Sequence, residues 1–146
     1  MAACEVAHRS RVGRAAEDVA KLSWIFAPRP TERRLIVRER AASMSGRYEM
    51  LLNRAIPVLM TVEFKTVRRD VVDYAVVLLV DIDGKIETVR VYDGAHGQNE
   101  LHRYTRSGGK QPAEIVHDGT LGEGMRAAII DMKGGYGAMI EAWSKQ

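Results

Sequence analysis

The sequence predicts an α+β fold: an antiparallel β-meander of three to five strands packed on a long C-terminal helix, preceded by a weakly structured helical segment. From Val58 onward the chain is dense in Val, Ile, Leu, Phe and Tyr and is divided by turn residues, which is typical of antiparallel strands. After Thr120, apolar residues instead recur every three to four positions, as in an amphipathic helix. The 146 residues, 46% of them hydrophobic, are enough for one domain with its own core.

Residues 1–43 are predicted to form a basic, weakly structured extension, and residues 44–146 a single α+β domain. The first segment is rich in Ala and Arg and has one modest helical pattern, at residues 15–26. It carries most of the chain's excess of positive charge, which a solvated Arg-rich arm explains better than a nucleic-acid contact does. Met44 is a candidate translation start, which leaves open whether residues 1–43 belong to the native product.

A helix is predicted at residues 47–55, because their apolar side chains recur at a spacing of three to four. Those positions are Tyr48, Leu51, Leu52 and Ala55. Pro57 should end this helix, since proline lacks the N–H that a helix interior needs.

Strands are expected at residues 58–67 and 71–82, and a hairpin turn should connect the second of these to the strand that follows it. Asp83-Gly84 predicts its two-residue type I′ turn, which needs positive φ at both central positions. In this register Ile82 pairs with Lys85, Val80 with Glu87, Leu78 with Val89, and Val76 with Val91. One apolar face then holds Val76, Leu78, Val80, Val89 and Val91, and the opposite face holds Val77, Leu79, Ile86, Thr88, Arg90 and Tyr92.

Beyond a loop at residues 93–98, further strands are expected at residues 99–106 and 114–117. Strand alternation puts Glu100, His102 and Tyr104 on one face of the first of these.

The C-terminal helix should begin at a capping box formed by Thr120 and Glu123. Its apolar stripe is Leu121, Met125, Ile129, Met132, Tyr136, Met139 or Ile140, and Trp143. Gly134-Gly135 should weaken or kink the helix, because each glycine costs about 1 kcal/mol relative to alanine.

The stretch from Tyr92 to Pro112 is the candidate functional site, because it gathers imidazole, phenol, carboxylate and basic side chains between strands. Groups that titrate near neutral pH beside fixed positive charge suit acid–base chemistry on a phosphodiester, or binding of an anion. RNA cleavage without a metal needs a base for the 2′-hydroxyl, an acid for the leaving oxygen and cations around the phosphorane. The catalytic candidates are His96, His102 and Tyr104, and the candidates for binding RNA or another anion are Arg90, Tyr92, Arg103, Arg106 and Lys110.

Two other interpretations of these residues stay open. Charged and aromatic side chains on a solvent-facing sheet are commonly cross-strand pairs with no chemical role. A zinc site would use His96, Glu100, His102 and the distant His117, but their spacing matches no recognised ligand pattern and the chain has a single cysteine. We therefore expect no metal and no cofactor.

A resemblance to a family of small bacterial proteins rests on the run Tyr92-Asp93-Gly94-Ala95-His96-Gly97, followed by Leu101-His102-Arg103-Tyr104. That family carries a Tyr-Asp-x-Ala-His-Gly loop leading into a His-containing strand, and the match covers roughly residues 71–143. A similar Tyr-Asp-x-Ala-His motif occurs in some TumE-type toxins of toxin–antitoxin modules.

The order of elements also resembles the RelE/HigB toxin fold. There a strand ending in Leu-His-x-Phe leads into a basic turn and a proline, much as Leu101-His102-Arg103-Tyr104 here leads to Lys110-Gln111-Pro112. The resemblance implies mRNA cleavage by basic and aromatic residues of this strand and turn, with a cognate antitoxin protein as partner. The basic turn is thinner in this chain, with Arg106 and Lys110 alone.

From the residues and the resemblance we expect a toxin-like, metal-independent endoribonuclease in the cytoplasm. The alternative is a non-catalytic module that binds a protein or an anion through a Tyr/His/Arg sheet face. Cys4 cannot form an internal disulfide, which suits a reducing compartment. The longest aliphatic run, residues 75–80, is far shorter than the roughly 20 residues that span a bilayer, so no membrane partner is expected.

Overall fold

Six strands pair with their neighbours in chain order, so the sheet is an antiparallel meander. The computed structural model describes residues 42–146. The strands are β1 (Ser43–Asn53), β2 (Val58–Val67), β3 (Asp70–Ile82), β4 (Lys85–Asp93), β5 (Asn99–Arg103) and β6 (Glu114–His117), and helix α1 (Leu121–Ser144) follows them. The α+β class, the meander and the C-terminal helix are confirmed, with six strands instead of three to five. The helical pattern predicted at residues 15–26, like nearly all of the extension, lies outside the described residues.

The additional strand is β1, which replaces the helix predicted at residues 47–55. The apolar spacing fits either structure, because Met50 and Leu52 alternate toward the core while Leu51 between them is half exposed. An antiparallel ladder with β2 along nearly all of β1 decides for the strand. Pro57 therefore lies in the turn between β1 and β2 and ends no helix. Met44, the candidate start, is the second residue of β1.

The hairpin between β3 and β4 has the predicted turn, with φ of 54° at Asp83 and 79° at Gly84. The pairs Ile82–Lys85 and Val80–Glu87 are as predicted. A β-bulge at Val89 then shifts the register, so that Leu78 pairs with Arg90 and Val76 with Tyr92. The predicted pairs Leu78–Val89 and Val76–Val91 are therefore wrong.

The bulge also exchanges side chains between the two faces of the sheet. Val89 and Tyr92 belong to the core beneath α1, and Arg90 reaches Asp131 on that helix. Val91 lies instead on the opposite face, with Ala75, Val77 and Leu79. The predicted placement of Val91 on the apolar face of Leu78, and of Arg90 and Tyr92 on the face of Val77, is thus corrected.

The main core lies between the sheet and α1. Its buried strand residues include Val58, Met60, Val62, Tyr74, Val76, Leu78, Val80 and Leu101, and those of the helix are Ala128, Met132, Met139 and Trp143. The other members of the predicted stripe, Leu121, Met125, Ile129, Tyr136 and Ile140, pack against this core and are partly buried. The helix runs unbroken through Gly134-Gly135.

The helix begins at the predicted capping box. The Glu123 backbone N–H donates to Thr120 Oγ1 at 3.3 Å, and the Thr120 backbone N–H donates to Glu123 Oε2 at 2.8 Å. The Thr120 hydroxyl also donates to Glu123 Oε2, at 3.0 Å. The two hydrogen bonds that the carboxyl accepts, from the Thr120 backbone and side chain, lower its pKa. No helix within residues 42–146 combines the length and the apolar character needed to cross a membrane.

Asn99 at the start of β5 connects the sheet to the beginning of α1. It is buried and accepts a hydrogen bond from the Tyr74 hydroxyl at 3.0 Å. Its amide donates to the carbonyl oxygens of His117 and Gly119, at 3.1 and 3.0 Å. Because every polar atom of this side chain has a partner, the amide fixes β5 against the segment that enters the helix.

Candidate functional site

The β4–β5 hairpin brings two carboxylates and an imidazole together on the face of the sheet opposite α1. Asp93, the last residue of β4, pairs directly with Glu100 on β5, and His102 follows two residues later on the same side of β5. His102 Nε2 lies 3.2 Å from Asp93 Oδ2 and 3.5 Å from Glu100 Oε2. The side chains of Asp93, Glu100 and His102 are only 6%, 11% and 8% exposed. We call these three residues the buried triad.

His96 joins the buried triad from the loop between the two strands. Its Nδ1 lies 3.1 Å from Glu100 Oε2 and 3.2 Å from Oε1, and its side chain is 68% exposed. The loop is shaped by Gly97, which has a φ of 75° and donates its N–H to the Gly94 carbonyl at 3.0 Å. The Ala95 N–H donates to Asp93 Oδ1 at 3.2 Å. The loop therefore anchors to one carboxylate of the triad and presents its imidazole to the other.

The carboxylates of the triad are paired with histidines. Within the described part of the chain, the ion-pair partners of Asp93 and Glu100 are imidazoles, with no Lys or Arg side chain within 4.0 Å. Burial raises the pKa of the Tyr104 and Tyr74 hydroxyls, and the nearby Asp93 carboxylate raises it further. His102 Nδ1 is buried and has no hydrogen-bond partner.

This arrangement gives the two histidines different chemistry. When His96 carries its proton on Nδ1, Glu100 accepts that hydrogen bond and the lone pair of Nε2 faces solvent, which is the form of a general base. His102 faces the two carboxylates with Nε2 and has little contact with solvent. Its position suits holding the carboxylates, or ligating a cation together with them.

The predicted anion-binding residues lie elsewhere. Arg90 and Tyr92 are on the helix side of the sheet, where the Tyr92 hydroxyl donates to the Asp131 carboxylate and Arg90 Nη1 lies 4.0 Å from Asp131 Oδ2. Burial, followed by this hydrogen bond, raises the pKa of Tyr92. The structure therefore separates these two residues from His96 and His102.

Arg103 and Arg106 are also placed by partners away from the triad. Arg103 is directly opposite Arg90 in the β4–β5 ladder and forms an ion pair with Glu114 on β6. The Arg106 guanidinium lies 5.8 Å from the ring centroid of Trp143 in α1. Lys110 lies in the connection between β5 and β6, where its backbone bridges to that of Tyr104.

Sequence reasoning brought His96, Glu100 and His102 together correctly and missed Asp93. His117, the fourth predicted zinc ligand, is apart from them, and its Nδ1 accepts the Gly119 N–H at 2.9 Å. Asp93 could have been found by pairing the strands on either side of the loop, because a hairpin closed by residues 94–98 puts Asp93 opposite Glu100.

A scan against protein-family models, a search of curated proteins and a search of solved structures each found no match to this chain.

Proposed function

We propose that the protein is a toxin-like, metal-independent endoribonuclease of the cytoplasm, with His96 as its general base. The supporting observation is that Glu100, a buried carboxylate, holds Nδ1 of an imidazole whose ring is two-thirds exposed. A carboxylate that orients an imidazole in this way fixes its tautomer and leaves the other nitrogen to accept a substrate proton. In this proposal His96 Nε2 accepts the proton of an RNA 2′-hydroxyl.

Tyr104 is the proposed acid. Its phenol is protonated at neutral pH, as any tyrosine of ordinary pKa is, so it has a proton to give to a leaving oxygen; burial and Asp93 raise its pKa further, which keeps it protonated. His102, a catalytic candidate from the sequence, is buried, so its proposed part is to position Glu100 without touching RNA.

The proposed phosphate contact is Lys110, which lies in the exposed connection after β5 and whose backbone bridges to that of Tyr104. Arg106 is a weaker candidate, because its guanidinium lies over the Trp143 ring of α1, away from the triad. Arg90, Arg103 and Tyr92 remain weaker candidates for RNA binding, because phosphate would compete there with Asp131 and Glu114. A cognate antitoxin protein would restrain the activity, so induced expression of the chain alone should arrest growth.

The direct experiment incubates the purified full-length chain with total RNA in EDTA and maps the cleavage ends. His96→Ala should lower the cleavage rate roughly 100-fold to 10,000-fold and leave RNA affinity unchanged, because general acid–base catalysis adds rate without adding binding. Gln98→Ala, an exposed residue of the same loop, is the matched control and should cleave at the wild-type rate.

RNA binding is measured separately, as a function of salt. Lys110→Ala should weaken binding and reduce its salt dependence, because fewer counterions are released, and Arg106→Ala should have a smaller effect. If the wild-type chain neither cleaves RNA nor binds it in a salt-sensitive way, the nuclease proposal fails. The non-catalytic module that binds a protein or an anion would then be the better proposal, but Arg90, Tyr92 and Arg103 lie on a different face from His96, so they do not form one binding face with it.

A further inference from the structure

We propose that the buried triad of Asp93, Glu100 and His102 is a binding site for a divalent transition-metal ion. Each residue offers one ligand atom, and the three atoms lie within 4.8 Å of one another. For a metal–ligand distance of about 2.1 Å, adjacent ligands are about 3.0 Å apart in octahedral geometry and about 3.4 Å apart in tetrahedral geometry. The distance from His102 Nε2 to Asp93 Oδ2, 3.2 Å, falls in this range, and the distance to Glu100 Oε2, 3.5 Å, lies just above it.

Burial and charge distinguish the triad from a group of acidic residues on a surface. Both carboxylates are about nine-tenths removed from solvent, and their ion-pair partners within residues 42–146 are imidazoles alone. Buried carboxylates of this kind are expensive unless they are paired or coordinate a metal. A divalent cation bound by two carboxylates and a neutral imidazole makes the site neutral.

The orientation of His102 suits ligation of an ion through Nε2. The ring is more than nine-tenths buried, its Nδ1 has no partner, and all its polar contacts are made by Nε2 toward the two carboxylates. The imidazole is therefore aimed into the cluster and is fixed by nothing else polar.

The ligand set selects the class of ion. Two carboxylate oxygens and one imidazole nitrogen suit Zn²⁺ or Mn²⁺, whereas Mg²⁺ and Ca²⁺ prefer oxygen alone and Cu⁺ prefers sulfur. Three protein ligands leave at least one coordination position for water. Zn²⁺ is the probe of choice because it binds tetrahedral N/O sites with three protein ligands.

This inference does not rest on the proposed nuclease function. Glu100 Oε1 lies 3.2 Å from His96 Nδ1, so one oxygen can orient His96 while Oε2 faces the ion. Without an ion, the Nε2–H of His102 holds the two carboxylates. The ion would stabilise the site, and RNA cleavage would proceed without it.

The test is a calorimetric titration of the EDTA-treated, dialysed full-length chain with ZnCl₂, accompanied by thermal melts. One ion should bind per chain, and the melting temperature should rise with Zn²⁺ concentration because the ion binds the folded state. Asp93→Asn and His102→Gln should each weaken the affinity roughly tenfold or more. Glu114→Gln and His117→Gln, which remove a carboxylate and an imidazole outside the triad, are the controls and should bind as the wild type does.

Co²⁺ provides a second readout that does not depend on stability. The wild-type chain should give visible absorption bands for the bound ion, and His102→Gln should alter or lose them. Glu100→Gln serves in place of any variant that does not fold. Absence of saturable binding to the wild-type chain, or equal loss of affinity in the His117→Gln control, would overturn the proposal. Because RNA plays no part in these measurements, they succeed or fail separately from the cleavage experiment.

Discussion

His96 and His102 show how the environment of a residue, and not its type, sets what it can do. Both contact Glu100, yet one side chain is 68% exposed and the other 8%. The exposed ring can reach a substrate at little cost to the fold. The buried ring supplies the donor that two buried carboxylates share, so it matters first for stability.

This difference predicts that the same substitution has a large effect on stability at one position and little effect at the other. His102→Ala leaves Asp93 and Glu100 buried without their shared donor, so the free energy of unfolding should fall by about 3 to 5 kcal/mol. His96→Ala removes an exposed side chain and should change it by about 0.5 kcal/mol or less. Urea unfolding at neutral pH, without added metal, measures both. Equal losses would show that the triad is not buried in solution.

The sequence predicts correctly that the triad residues of β5 share one face, and wrongly which face the neighbouring residues of β4 lie on. Alternation alone puts Glu100 and His102 together, and the structure confirms this. Arg90 and Tyr92 were assigned to the wrong face because a bulge at Val89 changes the alternation after it. Valine is an ordinary strand residue with no turn signal of its own, so the bulge has no signature in the local sequence.

At the level of whole elements, features specified by a few neighbouring residues were predicted correctly, and features that depend on the pairing of strands were not. The Asp83-Gly84 turn and the Thr120–Glu123 capping box are each specified within four residues, and both are present. Residues 47–55 carry apolar side chains compatible with both periods, and only the ladder with β2 selects the strand. Turn and capping motifs can be identified directly in a single sequence, whereas the choice between helix and strand at residues 47–55 depends on pairing with β2 in the folded chain.

The contact between α1 and β5 gives a test at this level. A Cβ at Gly124 would lie 1.8 Å from Asn99 Oδ1, whereas a Cβ at Gly134 would have open space around it. Gly134→Ala should raise the free energy of unfolding by about 0.5 to 1 kcal/mol, because alanine loses less entropy in a helix. Gly124→Ala should lower it by about 1 to 3 kcal/mol, because Asn99 must move and give up its hydrogen bonds.

Chemical denaturation of the two glycine variants, side by side, measures the opposite signs. The same substitution in the same helix makes each variant the control for the other. A gain in stability at both positions would mean that α1 does not dock on Asn99 as the structure has it.

The molecule as a whole has a sheet with two unlike faces. The side under α1 is mainly apolar, with Tyr74 and Tyr92 as buried hydroxyls, and the other side ends in the buried triad with Tyr104 nearby. Each of these phenols lies close to a carboxylate, Asp93 or Asp131. The two faces therefore share one electrostatic property: both favour neutral tyrosine.

This shared property predicts that the fold loses stability at alkaline pH. Burial is the largest cause of the raised pKa of Tyr74, Tyr92 and Tyr104, and the neighbouring carboxylates add to it. The folded chain thus retains protons that the unfolded chain releases above the ordinary phenol pKa of 10.0. The stabilisation is complete below pH 10 and is lost as the pH rises through the folded-state values.

Urea unfolding between about pH 8 and pH 11.5 tests this, with tyrosinate absorbance followed in parallel. The free energy of unfolding should decline above pH 10, and tyrosinate should appear together with unfolding. Tyr74→Phe lowers stability at every pH by removing the hydrogen bond to Asn99, but it should also make the decline above pH 10 shallower, because one retained proton is gone. An unchanged slope in Tyr74→Phe would show that its hydroxyl ionises as readily in the folded chain as in the unfolded one, and that the negative charge of Asp93 does not reach across the sheet.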